Sequence, residues 1–430
     1  MRKEAATADL VGPTHVDTPG NTALHAVFWP LAAIALFHRV YIRGTSTLTD
    51  DYTTVFTAIR RFIEGGNVYQ QDYASVVPHY LYSPGATLLL APFLGWTSDV
   101  ETSRAVFLTI QVLAIMAAIL VMFRWMGISG RSWVYPATIF GALLTETVSN
   151  TIAFTNVNGV LLLLVTLFLI TLLDGRVILA GLIIGLAITV KPVVAPLLFL
   201  PFALRRFSTV GVGIAVPVVA NAVAWPLMPH PEEYLTLTLP YLAEVRSYAN
   251  VSIAGQFVFF GASPKWLMLW QVLLAGAVIV GLILLLRWID RDRVFWATTT
   301  SALLLTGAFL LGSLGQMYYT MLLFPLVATI ARPIRGVTDA HGKPVRTVAA
   351  AWPFWVGFAL CVWFDSFLTE GHPLGSYWFD IGRGTLGWII ILLSITGCVV
   401  KWTIEDVAAG ENLMPGFSFR TRDKNGTPHA

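Results

Sequence analysis

Long apolar runs separated by short polar connections make up most of this chain, and their lengths predict helices rather than strands. The runs fall at 24–42, 102–123, 133–146, 159–173, 179–190, 193–204, 209–227, 266–286, 294–314, 319–331, 348–364 and 384–400. A helix needs about 20 apolar residues to cross a ~30 Å hydrocarbon layer, so several of these twelve rely on their neighbours to span. The run at 85–96, between PGAT and TSDVE, is shorter and is read as a re-entrant or interfacial helix. Between residues 51 and 63 the pattern changes. Tyr52, Val55, Phe56, Ile59, Phe62 and Ile63 recur at helical spacing among polar residues, which predicts an amphipathic helix lying on the membrane surface.

The expectation is an all-α polytopic membrane protein of about twelve transmembrane helices. Residues 1–23 form an N-terminal segment, 24–401 the membrane domain and 402–430 a polar tail read as disordered. No repeat of fixed period stands out, and the first apolar run lacks a small-residue cleavage site, so it reads as a membrane helix and not as a signal peptide.

Charge sets the orientation. Lys and Arg cluster at Arg124/Arg131, Arg176, Arg205/Arg206, Arg287/Arg291/Arg293 and Arg332/Arg335/Lys343/Arg346, which are alternate connections. The positive-inside rule places these, and both termini, in the cytoplasm. The opposite face then collects the loop 43–101, the TETVSNTIAFTNVN stretch, Lys191, the loop 228–265, the GQMYY stretch and the loop 370–383.

Composition agrees: 56% hydrophobic and 12% charged residues, with a mean hydropathy of +0.71, leave too little polar surface for a soluble domain. The net charge of +3 gives no reason to expect nucleic acid. The two cysteines, Cys361 and Cys398, lie in apolar segments and imply neither a disulfide framework nor a thiolate metal site.

The candidate chemistry lies on the outer face. In TDDYTTVF, Asp50 and Asp51 open the amphipathic helix, where a carboxylate either caps free N–H groups or serves as a base at the bilayer boundary. Asp51 suits the second role better. In VVPHYLYSPG, His79 is placed to bond a phosphate or a sugar hydroxyl, and Tyr80 and Tyr82 either stack on a sugar ring or anchor at the headgroup level. Glu146, Asn156 and Asn158 lie at the outer ends of two helices, for interhelical hydrogen bonding or for ligand contact. Lys191 is a lone cation before Pro192, between two short apolar segments; a broken helix with exposed backbone donors favours an anion there over simple snorkelling. Arg246, with Tyr248 and Asn250, is a second phosphate candidate unless Glu244 or Glu233 pairs with it. Gln316, Tyr318 and Tyr319 sit at another outer helix end. The chain carries no Walker loop, GxSxG, HExxH or convincing metal-ligand spacing.

Acids, amides, aromatics and a few cations at one face suit an enzyme acting on an amphiphile with a phosphate and a polyol head, such as a lipid-linked sugar. A transporter of such a molecule is the competing class, although polar groups are few at mid-depth and no inverted repeat is evident.

Six stretches together, TDDYTTVF, DYASVVPHYLYSPGATLLLAPF, TETVSNTIAFTNVNGVLLLL, VKPVVAPLLFLP, TLPYLAEVRSYANVSIAGQFVFFG and LGQMYYTMLLFP, cover residues 49–325 in order. They resemble the GT-C superfamily of polyprenyl-phosphate-sugar-dependent glycosyltransferases, and within it the α-(1→3)-arabinofuranosyltransferases of mycobacteria and corynebacteria. The SPG at Ser83–Gly85 departs from the pattern, which carries a second proline. The resemblance implies a GT-C fold in the plasma membrane with its active site facing the periplasm, so that the loops 43–101 and 228–265 are periplasmic. It implies a decaprenyl-phosphoarabinose donor, an arabinan acceptor in arabinogalactan and lipoarabinomannan, membrane lipids as surroundings, and neither cofactor nor metal. It also implies inversion at the anomeric carbon, with an aspartate of the first outer loop as general base; that role falls on Asp51, with Asp50 competing. Lys191, Arg246 and His79 are then the groups for the departing phosphate. A polyprenyl-phosphomannose-dependent mannosyltransferase is the nearest alternative.

Overall fold

The computed structural model describes residues 19–43, 50–75, 77–334, 336–363 and 377–413. Among these residues the regular structure is helical apart from one isolated antiparallel bridge, between Thr338 and Pro344. Helix α1 (Pro19–Leu36) runs into a π-helical stretch, Phe37–Arg43. It is followed by α2 (Asp50–Ile63), α3 (Pro84–Leu94), α4 (Val100–Trp125), α5 (Val134–Leu144), α6 (Glu146–Ala153), α7 (Asn158–Leu173) and α8 (Val177–Val190). A 3-10 stretch, Pro192–Leu198, precedes α9 (Phe199–Ala203), α10 (Phe207–Ala224), α11 (Leu239–Ala243), α12 (Ile253–Phe259), α13 (Pro264–Leu285) and α14 (Arg293–Leu311). A second 3-10 stretch, Met317–Leu323, leads to α15 (Phe324–Ala328), α16 (Ala331–Ile334), α17 (Trp352–Val362) and α18 (Arg383–Ala408).

Among the described residues, seven helical stretches are long and apolar enough to cross a membrane: Gly20–Ile42, Val100–Trp125, Phe207–Leu227, Pro264–Trp288, Arg293–Leu311, Met317–Ile334 and Arg383–Ala408. The other five expected spans are shorter, Val134–Leu144, Asn158–Leu173, Val177–Val190, Pro192–Ala203 and Trp352–Val362. Polar caps and prolines account for two of these breaks. Thr145, expected inside one helix, ends α5 and starts α6, its hydroxyl accepting the Val148 N–H at 3.4 Å. Helix α8 stops at Val190 because Pro192 has no N–H to continue the ladder.

The apolar face of α2, expected on the membrane surface, packs on protein instead. Tyr52, Phe56 and Ile59 are buried against Leu90 and Leu94 of α3, Phe107 of α4 and Val157. The Tyr52 hydroxyl donates to Ser103 Oγ at 2.7 Å, which ties α2 to α4. Helix α3 is the apolar run read as re-entrant or interfacial; it lies on α10 so closely that a Cβ on Gly85 would stand 2.8 Å from the Ala220 carbonyl carbon. The Gly85 N–H donates to Asn221 Oδ1 at 2.9 Å.

At the far end of α14 and α18, the basic clusters meet the C-terminal segment. Arg291 pairs with Asp339 (2.8 Å), Asp406 (2.6 Å) and Glu411 (3.2 Å), Arg287 with Asp406 (3.5 Å), Arg346 with Asp406 (3.2 Å), and Arg332 with Asp292 (2.8 Å). The tail expected from residue 402 is therefore structured as far as Leu413, because Asp406 and Glu411 are ion-pair partners of the arginines; residues 414–430 lie outside the described part. The hydrogen bond from Lys343 holds the Glu411 carboxyl below the ordinary glutamate range, with Arg291 adding to it. Burial works against the Asp339 carboxyl, yet Arg291 and the N–H groups of Lys343 and His341 hold it low as well. Both folded values lie below the unfolded ones, so this stabilisation is complete above the ordinary carboxylate range and is lost as pH falls through the depressed values. Thermal unfolding of the detergent-solubilised protein is expected to shift to lower temperature between about pH 5 and pH 3. The Glu411→Gln variant should show a shallower shift; an identical pH dependence would remove Glu411 from the linkage.

Candidate active site

One cavity of about 290 Å³ lies where α2, the segment before α3, the break after α8, the Arg246 loop and the second 3-10 stretch converge. It is lined by Asp51, His79, Tyr82, Asn156, Lys191, Arg246, Gln316, Tyr318 and Tyr319. Residues far apart in sequence, from the first outer loop to the 3-10 stretch after α14, thus face one space.

Asp51 stands in the first turn of α2, half-buried, with Thr54 and Val55 beside it on the cavity wall. Asp50 opens the same helix, but its side chain lies outside the described residues. Lys191 is extended (φ −139°, ψ 96°) between α8 and the 3-10 stretch, which turns its side chain into the cavity. Its Nζ lies 4.8 Å from the ring centroid of Tyr319 and 5.5 Å from that of Tyr318, a cation held over aromatic faces. Asp51 and Tyr82 are within its electrostatic reach. The Tyr318 carbonyl accepts from Thr147 Oγ1 at 2.6 Å, and the same hydroxyl accepts the Met321 N–H at 3.1 Å, so α6 fixes the two tyrosines in place.

Arg246 lies with its guanidinium carbon 5.7 Å from the ring centroids of both Tyr241 and Tyr248. Of the two glutamates named as its alternative partners, Glu233 is engaged by Asn67 Nδ2 at 2.8 Å. His79 Nε2 faces the Asp72 carbonyl at 2.8 Å and must carry the proton to donate there; its Nδ1 is buried without a partner. When the ring is uncharged, Nδ1 is a lone-pair acceptor, which suits a sugar hydroxyl better than a phosphate. The ring is held between Tyr73 (5.1 Å) and Tyr241 (4.8 Å). Asn156 also brings an unpartnered buried Nδ2 to the cavity, while its Oδ1 accepts the Asn158 N–H at 3.2 Å.

Other expected site residues stand elsewhere. Tyr80 is buried and bonds Thr87 Oγ1 at 2.6 Å, so it packs the first loop; it lines the cavity along α2 and not this one. Asn158 is buried with both amide atoms unpartnered, behind the cavity wall. Asn250 is fully buried: its amide donates to the carbonyls of Arg246 (3.0 Å) and Ser313 (2.8 Å) and accepts from the N–H groups of Ser252 (3.1 Å) and Gly315 (3.0 Å). These four bonds use its whole capacity, so it positions the Arg246 loop. Glu146 forms an ion pair with Arg383, and Asn150 donates to it at 3.2 Å. Arg383 also donates to the carbonyls of Leu360 and Trp363, both at 2.8 Å. Tyr248 and Glu146 edge a second cavity beside the first.

Several supporting residues escaped the sequence reading. Arg104, near the start of α4, donates to Thr155 Oγ1 and the Ala153 carbonyl, both at 3.1 Å, and so holds the turn that presents Asn156. Its place in the run read as 102–123 was a usable signal. Tyr241 and Arg383 carried no comparable one.

A helical membrane body with one polar, aromatic cavity at the helix breaks is what a membrane-embedded sugar transferase requires. The chain belongs to glycosyltransferase family 87, whose model matches residues 80–313. It is 41% identical to an α-(1→3)-arabinofuranosyltransferase of Corynebacterium glutamicum, over 91% of this chain and 90% of that one. It is 37% identical to the α-(1→3)-arabinofuranosyltransferases of Mycolicibacterium smegmatis and Mycobacterium tuberculosis, in each case over 92% of this chain and about nine-tenths of the other.

Proposed function

We propose that this chain is an inverting α-(1→3)-arabinofuranosyltransferase that takes arabinofuranose from decaprenyl-phosphoarabinose and adds it as a branch to arabinan. Supporting this are its membership of family 87, its similarity along nearly its full length to enzymes of that name, and one geometric observation that carries the mechanism: Asp51 and Lys191 line the same cavity. The helix breaks and the placement of the basic clusters are compatible with a GT-C fold of about twelve membrane helices, both termini cytoplasmic and the cavity facing the periplasm.

In the reaction the Asp51 carboxylate accepts the proton of an acceptor hydroxyl. The oxygen attacks the anomeric carbon on the face opposite the lipid phosphate, and the C–O bond to phosphate breaks with its electron pair leaving on the phosphate. The β-linked donor therefore gives an α-linked product. The leaving group is an anion throughout, so it needs cationic donors more than a proton; Lys191 and Arg246 supply them from the cavity wall. His79 Nδ1 and Asn156 Nδ2 are the free polar atoms for the sugar hydroxyls. The apolar wall of Leu90, Leu94, Phe107 and Val157 suits the first isoprene units.

The test is transfer by purified protein from synthetic polyprenyl-phosphoarabinose to an arabinan oligosaccharide, with the product linkage read by NMR. An α-(1→3) arabinofuranosyl product is expected. Transfer of mannose alone from polyprenyl-phosphomannose, or lipid movement across vesicles without glycosidic bond formation, would sink the reading. The chemistry assigned to Lys191 and Arg246 needs no divalent ion, so turnover is expected to stay within about twofold after EDTA treatment. Loss of activity restored by added Mg²⁺ or Mn²⁺ would show that a metal takes part.

A further inference from the structure

Two further cavities share walls with the central one. The first, of about 400 Å³, lies along the outer face of α2 and shares Thr54, Pro78 and His79 with it. The second, of about 450 Å³, lies beyond the second 3-10 stretch and shares Gln316 and Tyr318. Each falls in the ~300–1,000 Å³ range that encloses a drug-sized ligand, so each has room for more than one pentose ring. A substrate confined to the reacting sugars would leave both unused.

The first cavity differs in chemistry from a lipid path, and the second sets polar groups among apolar and aromatic ones. The first is walled by Thr57, Arg61, Gln71, Asp72 and Ser75, a dense set of hydroxyl, amide and charged groups. An isoprenoid there would strip water from polar groups and return nothing. The second combines aromatic faces (Phe154, Tyr248, Phe259, Tyr377) with Asn150 and the ion-paired Glu146. Phe259 and Tyr377 stack at 4.6 Å, and the Tyr377 hydroxyl is bound by Gln256, so the platform is fixed. Aromatic faces beside hydrogen-bonding groups fit the apolar C–H faces and hydroxyl edges of a saccharide. The central cavity keeps its own apolar wall for the donor lipid.

We infer that the acceptor is bound as an extended furanose chain lying through the site, with the attacked residue beside Asp51, one arm in the Thr57–Asp72 cavity and the other in the Tyr248–Tyr377 cavity. This rests on the transferase reading above and specifies its acceptor: the enzyme reads an internal residue of a chain from both sides. Thr57 and Ser247 are exposed residues, one on the rim of each outer cavity, and neither belongs to the catalytic set. Tryptophan at either position narrows its cavity from the rim.

The experiment uses full-length protein in nanodiscs, polyprenyl-phosphoarabinose as donor, and linear arabinofuranosyl disaccharide and octasaccharide as acceptors. Wild-type protein is expected to prefer the octasaccharide by about tenfold or more in kcat/KM. Thr57→Trp and Ser247→Trp should each reduce that preference to within about threefold, while disaccharide transfer stays within about twofold of wild type. A preference retained in either variant, equal loss with both acceptors, or no preference in wild type would overturn the inference while leaving the transferase reading intact. Saturation-transfer NMR of the octasaccharide gives a second readout without turnover. If wild type transfers to no arabinan, the transferase reading fails; octasaccharide signal lost in both variants would then still support the through-site, and signal unchanged in either would overturn it.

Discussion

Asp51→Asn is expected to reduce transfer by about a thousandfold, while affinity for the lipid-phosphate donor changes by less than about threefold. The amide keeps the size and hydrogen-bonding reach of the carboxylate but cannot accept the proton of the attacking hydroxyl, and a positioned general base is worth roughly 10² to 10⁴ in rate. Asp51 occupies the first turn of α2, and that helix is locked to α3 and α4 by Tyr52, Phe56 and Ile59, so the substitution leaves the backbone under it in place. The parallel variant Asp50→Asn is expected to retain most of the turnover. Single-turnover kinetics with saturating donor separate the chemical step from binding. Turnover near wild type in Asp51→Asn, with loss in Asp50→Asn, would move the base one residue back.

How much of this site can be read from the chain depends on how local the cause is. Lys191 before Pro192 announces a helix break and an unneutralised cation in four or five residues, and the structure puts that lysine in the cavity wall. The amphipathic pattern of residues 51–63 likewise predicts α2, because helical periodicity is a local property. The partner of its apolar face is not local. Residue pattern alone suits a membrane surface as well as α3 and α4, and only the tertiary structure shows the protein contact. The same limit applies to Glu146, whose counter-ion Arg383 lies 237 residues away.

Polar residue type is also ambiguous between binding and building. Asn250 and Asn156 are both amides in turns between helices, yet Asn250 spends all four of its bonds on backbone groups, whereas Asn156 keeps an unpartnered Nδ2 at the cavity. Tyr80 and Tyr82 stand two residues apart, and only Tyr82 faces the cavity, because Thr87 on α3 takes the hydroxyl of Tyr80. The count of membrane spans was limited for a related reason. Hydropathy registers apolar length, while the cap at Thr145 ends α5 inside the run read as 133–146 and leaves a piece too short to cross alone.

Lys191→Met is expected to weaken binding of a polyprenyl-phosphate ligand by about ten- to a hundredfold and to lower kcat by about a hundredfold. Methionine fills nearly the same volume in the contact with Tyr318 and Tyr319, so the loss reports the charge and not a void. Two effects combine. The ammonium group attracts the phosphate in the bound donor, and it is needed more as the C–O bond breaks and further charge gathers on the leaving oxygen. Arg246 remains in the variant, which sets the loss below the full cost of an unneutralised phosphate. The acceptor KM should stay within about twofold, since no acceptor hydroxyl depends on this cation. Arginine at the same position keeps the charge but brings a larger planar fork between two tyrosine rings, so Lys191→Arg should recover phosphate affinity more fully than rate. Equal affinity of wild type and Lys191→Met for the polyprenyl phosphate would remove the lysine from the phosphate site and leave Arg246 as its anchor.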